Sequence, residues 1–164
     1  MRHEAQGLPR RQYGVVTIEY ALLLMLGILP LLLFTINGTL VFAAKQSLSL
    51  AAAEGSRAAL RHGSTEQKKL YACNAARNAM SWLLSFSGEQ VNCNAPVSAP
   101  IRVSNAQPCT GGVGGYCMHV TVTFDVDAHP FLPGANQLFG WVFGKKLTSE
   151  AVVQLDPSFL PTSP

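Results

Sequence analysis

One acidic residue, Glu19, lies inside a long apolar segment and is the first candidate for chemistry in the sequence. The segment runs from Val15 to Ala44, and Glu19 is its only charged residue. An ionisable side chain is costly in a segment that can enter a membrane, so it indicates a function by default. Because Glu19 stands near the start of the segment, the simpler alternative is that it reaches back to the lipid headgroups. The residues around it favour a function.

The residues that precede Glu19 form a pattern typical of a processing site. Residues 10–20, RRQYGVVTIEY, consist of a basic leader that ends in Gly14, followed by an apolar stretch with Glu19 and Tyr20. This resembles the site at which a membrane aspartyl peptidase, the prepilin peptidase, cuts type IV pilin-like proteins after the glycine. The resemblance implies a mature chain that begins at Val15.

A cut after Gly14 would give Glu19 a chemical partner. It creates an α-ammonium group on Val15, at a helix N-terminus that already carries a partial positive charge. Glu19 lies one helical turn further on, so its carboxylate can pair with that ammonium or with the ammonium of a staggered neighbouring helix. Burying either charge alone is strongly unfavourable, so the pairing would hold like helices in one register. Glycine, which lacks a Cβ, also lets the backbone enter a peptidase cleft in an extended form.

Two further motifs narrow the resemblance to one family. Glu19-Tyr20, directly ahead of the run ALLL, resembles the Glu-Tyr or Glu-Phe signature of Flp pilins from tight-adherence (Tad) systems. Residues 52–58, AAEGSRA, resemble the A-x-E-G-A-R segment of TadE-like proteins, with Ser56 in place of the usual alanine. The major Flp pilin is much shorter than this chain, so the sequence is identified as a TadE- or TadF-like minor pilin, or pseudopilin. The resemblance covers residues 10–60.

This resemblance also implies partners. A minor pilin of this kind is processed by a prepilin peptidase and contacts the membrane, other pilin-like subunits and the pilus assembly platform. It has no enzymatic activity and no cofactor, and it acts in pilus assembly, surface adherence and biofilm formation. Neither nucleic acid nor a small-molecule substrate is among the expected partners. Entry into the fibre and retention in the membrane as an assembly factor are both left open.

The charges beside the apolar segment predict its orientation. Arg2, Arg10 and Arg11 precede the segment, with Glu4 as the opposing charge, and cationic flanks tend to stay cytoplasmic. A segment of this length can cross a hydrocarbon core of about 30 Å. The N-terminus is therefore expected on the cytoplasmic side of a bacterial inner membrane, with the chain after about residue 45 exported.

The cysteines all lie on the expected exported side, where disulfides form and persist. They are Cys73, Cys93, Cys109 and Cys117. Four cysteines allow three connectivities, and the sequence alone does not choose among them. The pairing of Cys73 with Cys93 and of Cys109 with Cys117 is favoured, because both pairs close short local loops. No pair has the C-x-x-C spacing of a redox motif or a tetrathiolate zinc site.

The pattern of the whole chain predicts an α+β fold, with a long N-terminal transmembrane helix, a second helix and a small antiparallel sheet, stapled by disulfides. The first helix is predicted up to residue 62 with a kink at Pro30, and the second over 64–86 behind a Ser64–Gln67 capping box. Alternating side chains predict strands over 117–127, 101–103 and 151–155. A glycine-rich turn at 110–115 would join the strands at 101–103 and 117–127 as a hairpin.

Four regions follow from these elements. They are a cytoplasmic prepilin-type leader (1–14), a transmembrane helix with an exported extension (15–62), an exported α+β domain (63–156) and a loose tail (157–164).

Composition and motifs exclude several function classes. Hydrophobic residues make up 48% of the 164 residues and charged residues only 13%, with a net charge of +3. A cytoplasmic enzyme, a disordered chain and a nucleic-acid binder do not have this balance. No nucleophile motif is recognisable. The group His119, Asp125, Asp127 and His129 has residue types that bind cations, but a solvated strand face is the favoured interpretation.

Two alternatives to processing after Gly14 remain. A secretory signal peptide would fit a cut near Val41-Phe42-Ala43, but its apolar region is usually about 7 to 15 residues long. An unprocessed single-pass signal anchor that carries an exported binding domain explains the length and the flanking charges. It leaves Glu19 unexplained.

Overall fold

The computed structural model describes residues 13–94, 100–109, 115–134, 137, 140–142 and 144–155. Most of the predicted leader, residues 110–114 of the predicted glycine-rich turn and the predicted tail lie outside these residues. The chain divides into two compact units, Met1–Asn37 and Gly38–Pro164.

The first unit is helical throughout its described part. Helix α1 spans Tyr13–Leu23, a π-helical turn spans Leu24–Ile28, and helix α2 spans Leu29–Ala58 and continues into the second unit. The Leu29 N–H donates to the Leu24 carbonyl across the π turn. Proline lacks an N–H, and its ring collides with the carbonyl four residues earlier. A wider turn directly before Pro30 relieves that collision, so an irregularity is present where the sequence predicts a kink.

Apolar side chains are exposed on all sides of the first unit. Leu26, for example, is 74% exposed. The helical run Val16–Ala58 is the one candidate membrane span within the described part of the chain, judged by length and composition. A helix that is apolar all round is stable in lipid or against other apolar helices. The first unit is therefore compatible with membrane anchoring.

In the second unit, α2 buries a stripe of mostly small side chains. The buried residues of this stripe are Val41, Ala44, Leu48, Ala51, Ala52, Gly55 and Ala58. Side chains of this size let other elements approach the helix backbone closely. Helix α2 ends at Ala58, not at residue 62, because the chain tightens there: Leu60 N–H donates to the Arg57 carbonyl and Arg61 N–H to the Ala58 carbonyl. The predicted helix end is wrong by this one turn.

Two short helices follow in place of the single helix that was predicted. Helix α3 spans Thr65–Ala79 and α4 spans Ser81–Ser87. The predicted capping box is confirmed, since Ser64 Oγ accepts the Gln67 N–H at 3.3 Å and Gln67 Oε1 accepts the Ser64 N–H at 3.0 Å. Met80 breaks the helix with φ −106° and ψ 20°, while its side chain is fully buried. The prediction of one continuous helix over 64–86 is therefore wrong.

The sheet is antiparallel and is built around one central strand. The strands are β1 (Ile101–Val103), β2 (Gln107–Pro108), β3 (Tyr116–Asp125) and β4 (Lys146–Leu155). Strand β3 pairs with β4 over its whole length and with β1 and β2 in succession along its other edge. Its buried face consists of Met118, Val120, Val122 and Phe124, which confirms the predicted alternation. Strand β4 begins at Lys146, five positions before the predicted Ala151.

Both predicted disulfides are confirmed. Cys73 and Cys93 are bonded with their Cα atoms 5.5 Å apart, and Cys109 and Cys117 with theirs 5.0 Å apart. The first pair is buried and ties α3 to the loop after α4. The second is half-buried and ties the end of β2 to β3. The two bonds therefore secure different parts of the second unit.

The loss of the first disulfide is expected to cost more stability than the loss of the second. Replacing Cys73 and Cys93 by alanine should lower the free energy of unfolding by about 3 kcal/mol through loop entropy, and replacing Cys109 and Cys117 by about 2.5 kcal/mol. The buried position of the first pair increases the difference, because its removal also leaves a cavity. Urea unfolding of the full chain in detergent micelles measures both values. A reversed order would contradict this assignment, as would any thiol that reacts with an alkylating agent before reduction.

Candidate functional site

The predicted processing site lies in the first turns of α1. The described part of α1 runs from Tyr13 to Leu23, so the peptide bond between Gly14 and Val15 lies within helical residues. Glycine is about 1 kcal/mol less favourable in a helix than alanine. Helix conformation differs from the extended form that a peptidase cleft requires, so a cut at this bond would need local unwinding.

The structure places Glu19 one turn beyond the predicted new N-terminus. Residues four apart lie on the same face of a helix, which puts Glu19 on the face of Val15. Glu19 itself is exposed, and so are its neighbours Ile18 and Tyr20, at 65% and 64%. An exposed carboxylate on an otherwise apolar helix can meet a cation from its own chain or from another helix.

The second motif, residues 52–58, has a packing role within the second unit. Gly55 faces α3 and β3 so closely that a Cβ on it would lie 2.9 Å from Val120 Cγ1 and 3.1 Å from the Ala72 carbonyl oxygen. A third atom, Ala76 Cβ, would be 3.3 Å away. Only glycine fits at this distance without a shift of the backbone. The motif is therefore where α2 packs closely on both α3 and the central strand β3.

The charged residues of the same motif point away from this contact. Arg57 Nη1 and Glu54 Oε1 are 2.9 Å apart, one turn from each other on α2, with side chains 74% and 42% exposed. Exposed pairs of this kind contribute about 0.3–0.5 kcal/mol. Ser56 Oγ donates to the Ala53 carbonyl at 2.8 Å within the helix. The motif thus has three buried residues that pack, Ala52, Gly55 and Ala58, and two residues with exposed side chains that pair, Glu54 and Arg57.

The candidate cation ligands on and after β3 have other partners. His119 Nδ1 lies 2.5 Å from Glu150 Oε1 on β4, and Asp125 Oδ2 lies 3.5 Å from Lys146 Nζ. The Ala128 N–H donates to Asp125 at 3.0 Å and, as the largest of several causes that include Lys146, lowers the pKa of Asp125. Within the described residues, no three His, Cys, Asp or Glu side chains are grouped so that they could hold a metal ion.

The comparisons with known proteins agree with the segment that the two motifs define. The family model of the TadE-like proteins matches residues 14–57, from the glycine of the predicted processing site to the arginine of the second motif. This confirms the predicted TadE-like family over that segment. No curated protein matches the chain, and no solved structure matches it.

The match covers residues 14–57 of the 164 and indicates similarity to a family of pilus components. The matched segment overlaps Val16–Ala58, the one candidate membrane helix of the described residues. The second unit shares residues 38–57 of α2 with the matched segment, whereas α3, α4, the sheet and both disulfides lie outside it.

Sequence reasoning did not identify the contact at Gly55 or the aromatic contacts of Phe131. The first had a signal in the sequence, because small residues recur along α2 at spacings of three and four around Gly55. The second had none, since Phe131 follows Pro130 in a region without periodicity. Its ring centroid lies 5.1 Å from that of Phe86 and 5.6 Å from that of Phe124.

Proposed function

We propose that this protein is a TadE-like minor pilin of a Tad (Flp) pilus apparatus. In this proposal a prepilin peptidase cuts it between Gly14 and Val15, and the mature chain stays anchored by its N-terminal helix with the second unit on the exported side of the inner membrane. It then associates with other pilin-like subunits and with the assembly platform, and it supports surface adherence and biofilm formation.

One observation carries this proposal. The segment that matches the TadE-like family begins at Gly14, the predicted last residue of the leader, and it contains Glu19 one helical turn beyond the predicted new N-terminus. A basic leader precedes this point, and an exposed apolar helix follows it. The two disulfides support the exported side for the second unit, because such bonds persist in oxidising compartments.

Processing is tested by the intact mass of the protein isolated from membranes. We expect the mass to fall by that of residues 1–14 in cells that contain a prepilin peptidase, and to remain that of the full chain in cells without one. N-terminal sequencing should then begin at Val15. Gly14→Leu should block the cut, because the added side chain hinders the close approach of the backbone to the peptidase cleft.

Gly7→Leu is the matched control for that variant, since it places the same side chain on a glycine inside the leader. It should be cut normally. A full-length mass in the presence of the peptidase would reject processing and favour the unprocessed signal anchor with an exported binding domain. A mature start near Ala44 would instead indicate a signal peptide.

A further inference from the structure

Trp141 and Val142, described residues of the connection between β3 and β4, are exposed apolar side chains. Trp141 lies in a helical turn directly before β4 and is 87% exposed, the highest value among the exposed large apolar side chains of the described residues. The next residue, Val142, is also exposed. A tryptophan exposed to this degree beside an exposed aliphatic residue is a candidate contact, and its position on the unit decides with what.

The packing within the second unit shows at which end this connection lies. Gly55 of α2 is opposite Val120 in the middle of β3, whereas Ser47, roughly 12 Å nearer the amino-terminal end of α2, accepts a hydrogen bond from Trp82 Nε1 at 3.0 Å. The Phe131 ring lies 6.4 Å from that of Trp82 and 5.6 Å from that of Phe124, near the end of β3.

The connection therefore leaves the sheet at the end of the unit where α2 enters it. Lys146, the first residue of β4, pairs in register with Asp125, the last residue of β3, so both ends of the connection are at this end. The apolar segment of the sequence extends to Ala44, three residues before Ser47. Trp141 and the last residue of the apolar segment, Ala44, thus lie at the same end of the second unit.

The charged residues where the connection meets β3 and β4 form two ion pairs. Lys146 Nζ lies 3.5 Å from Asp125 Oδ2, and Lys145 Nζ lies 4.0 Å from Asp127 Oδ2. Both of these lysines therefore have a carboxylate partner within the described residues. A membrane contact at this place would depend on the burial of apolar area.

We propose that Trp141 and Val142 insert into the interfacial region of the bilayer that holds the N-terminal helix. Tryptophan is enriched at this depth because its ring is apolar and its N–H still reaches polar groups. The anchor keeps the second unit close to the lipid, so a weak contact is sufficient, as in other linked binding events. The inference depends on membrane anchoring, and neither processing nor pilus membership is required for it.

Depth-dependent fluorescence quenching tests this contact in the full chain. The chain has two tryptophans, so the emission of Trp141 is recorded alone in the Trp82→Phe variant. The protein is placed in phosphatidylcholine vesicles that contain lipid with a spin label either near the headgroup or near the methyl end of the acyl chain. We expect the shallow label to remove most of the Trp141 emission and the deep label to remove less.

Anchoring is measured separately, so that its failure is not mistaken for failure of the contact. Leu26→Trp in a Trp82→Phe, Trp141→Phe background reports the depth of the N-terminal helix and should be quenched by the deep label. The contrary result is that the reporter is quenched by the deep label while Trp141 emission is quenched by aqueous iodide and by neither spin label. In that case the N-terminal helix is in the membrane, and the proposed interfacial contact of Trp141 is wrong. A partner protein would then be the occupant of the Trp141 surface.

Vesicles of two lipid compositions test whether the contact depends on apolar burial or on attraction to anionic lipid. Because Lys145 and Lys146 are paired with carboxylates, quenching of Trp141 should be the same in phosphatidylcholine vesicles and in vesicles with added phosphatidylglycerol. Quenching that required the anionic lipid would overturn the assignment to apolar burial.

Discussion

Gly55→Ala is expected to destabilise the second unit, although alanine is the better helix former. The added Cβ would lie 2.9 Å from Val120 Cγ1 and 3.1 Å from a backbone oxygen of α3. Overpacking of this kind costs about 1–3 kcal/mol. The gain in helix propensity is about 1 kcal/mol at most, so the net change is a loss. Gly55→Leu, with three further heavy atoms in the same place, should prevent α2 from packing on α3 and β3.

Urea unfolding of the full chain in detergent micelles measures this effect. Ser56→Ala is the matched control, because it lies on the next position of α2 and exchanges one small side chain for another. The Ser56 hydroxyl donates to the Ala53 carbonyl within the helix, and the stability of this variant should stay within about 0.5 kcal/mol of the wild type. If Gly55→Ala were as stable as Ser56→Ala, the close contact of α2 with β3 described above would be incorrect.

Glu19→Gln is expected to abolish piliation while it leaves insertion and processing intact. The substitution keeps the shape of the side chain and removes the charge that would pair with the Val15 ammonium. A buried charge that loses its partner costs about 3–5 kcal/mol, which weakens the association of subunits by roughly a hundredfold or more. The cut should persist, because the bond lies on the leader side of Glu19. Cross-linking to other pilin-like subunits and counts of surface pili measure the loss.

Glu54→Gln provides the control for that variant. Glu54 lies on α2 outside the apolar segment, and its exposed pair with Arg57 contributes little, so this exchange should leave piliation unchanged. The amount of mature protein must be equal in all strains. Normal cross-linking and full piliation in Glu19→Gln would show that Glu19 is only a polar residue at the membrane surface.

The features that the sequence predicted correctly are those with a local cause. The capping box needs only Ser64 and Gln67, three positions apart, and the buried face of β3 follows from strict alternation. Both disulfides close short loops, so the separation of the cysteines along the chain was enough to predict their pairing. The family resemblance rests on the same kind of evidence, because its motifs are short and continuous.

The features that were missed depend on contacts between distant residues. Met80 interrupts the predicted second helix, and its fully buried side chain shows that tertiary packing decides its conformation there. The start of β4 was placed too late because Leu147 and Ser149 alternate only weakly, whereas the pairing with β3 determines the full length of the strand. The role of Gly55 became visible only once its neighbours on α3 and β3 were known.

The central position of β3 determines the order in which the sheet can form during synthesis. Strand β3 pairs with β4 at ten successive positions, but residues 126–145 separate the two strands along the chain. Until the ribosome has completed the chain to Leu155, one edge of β3 has its N–H and C=O groups unpaired and is open to other chains. Both cysteine pairs are complete before that point. The two disulfides can therefore form, and fix α3 and the β2 edge of β3, while the other edge of β3 is still unpaired because β4 is not yet complete.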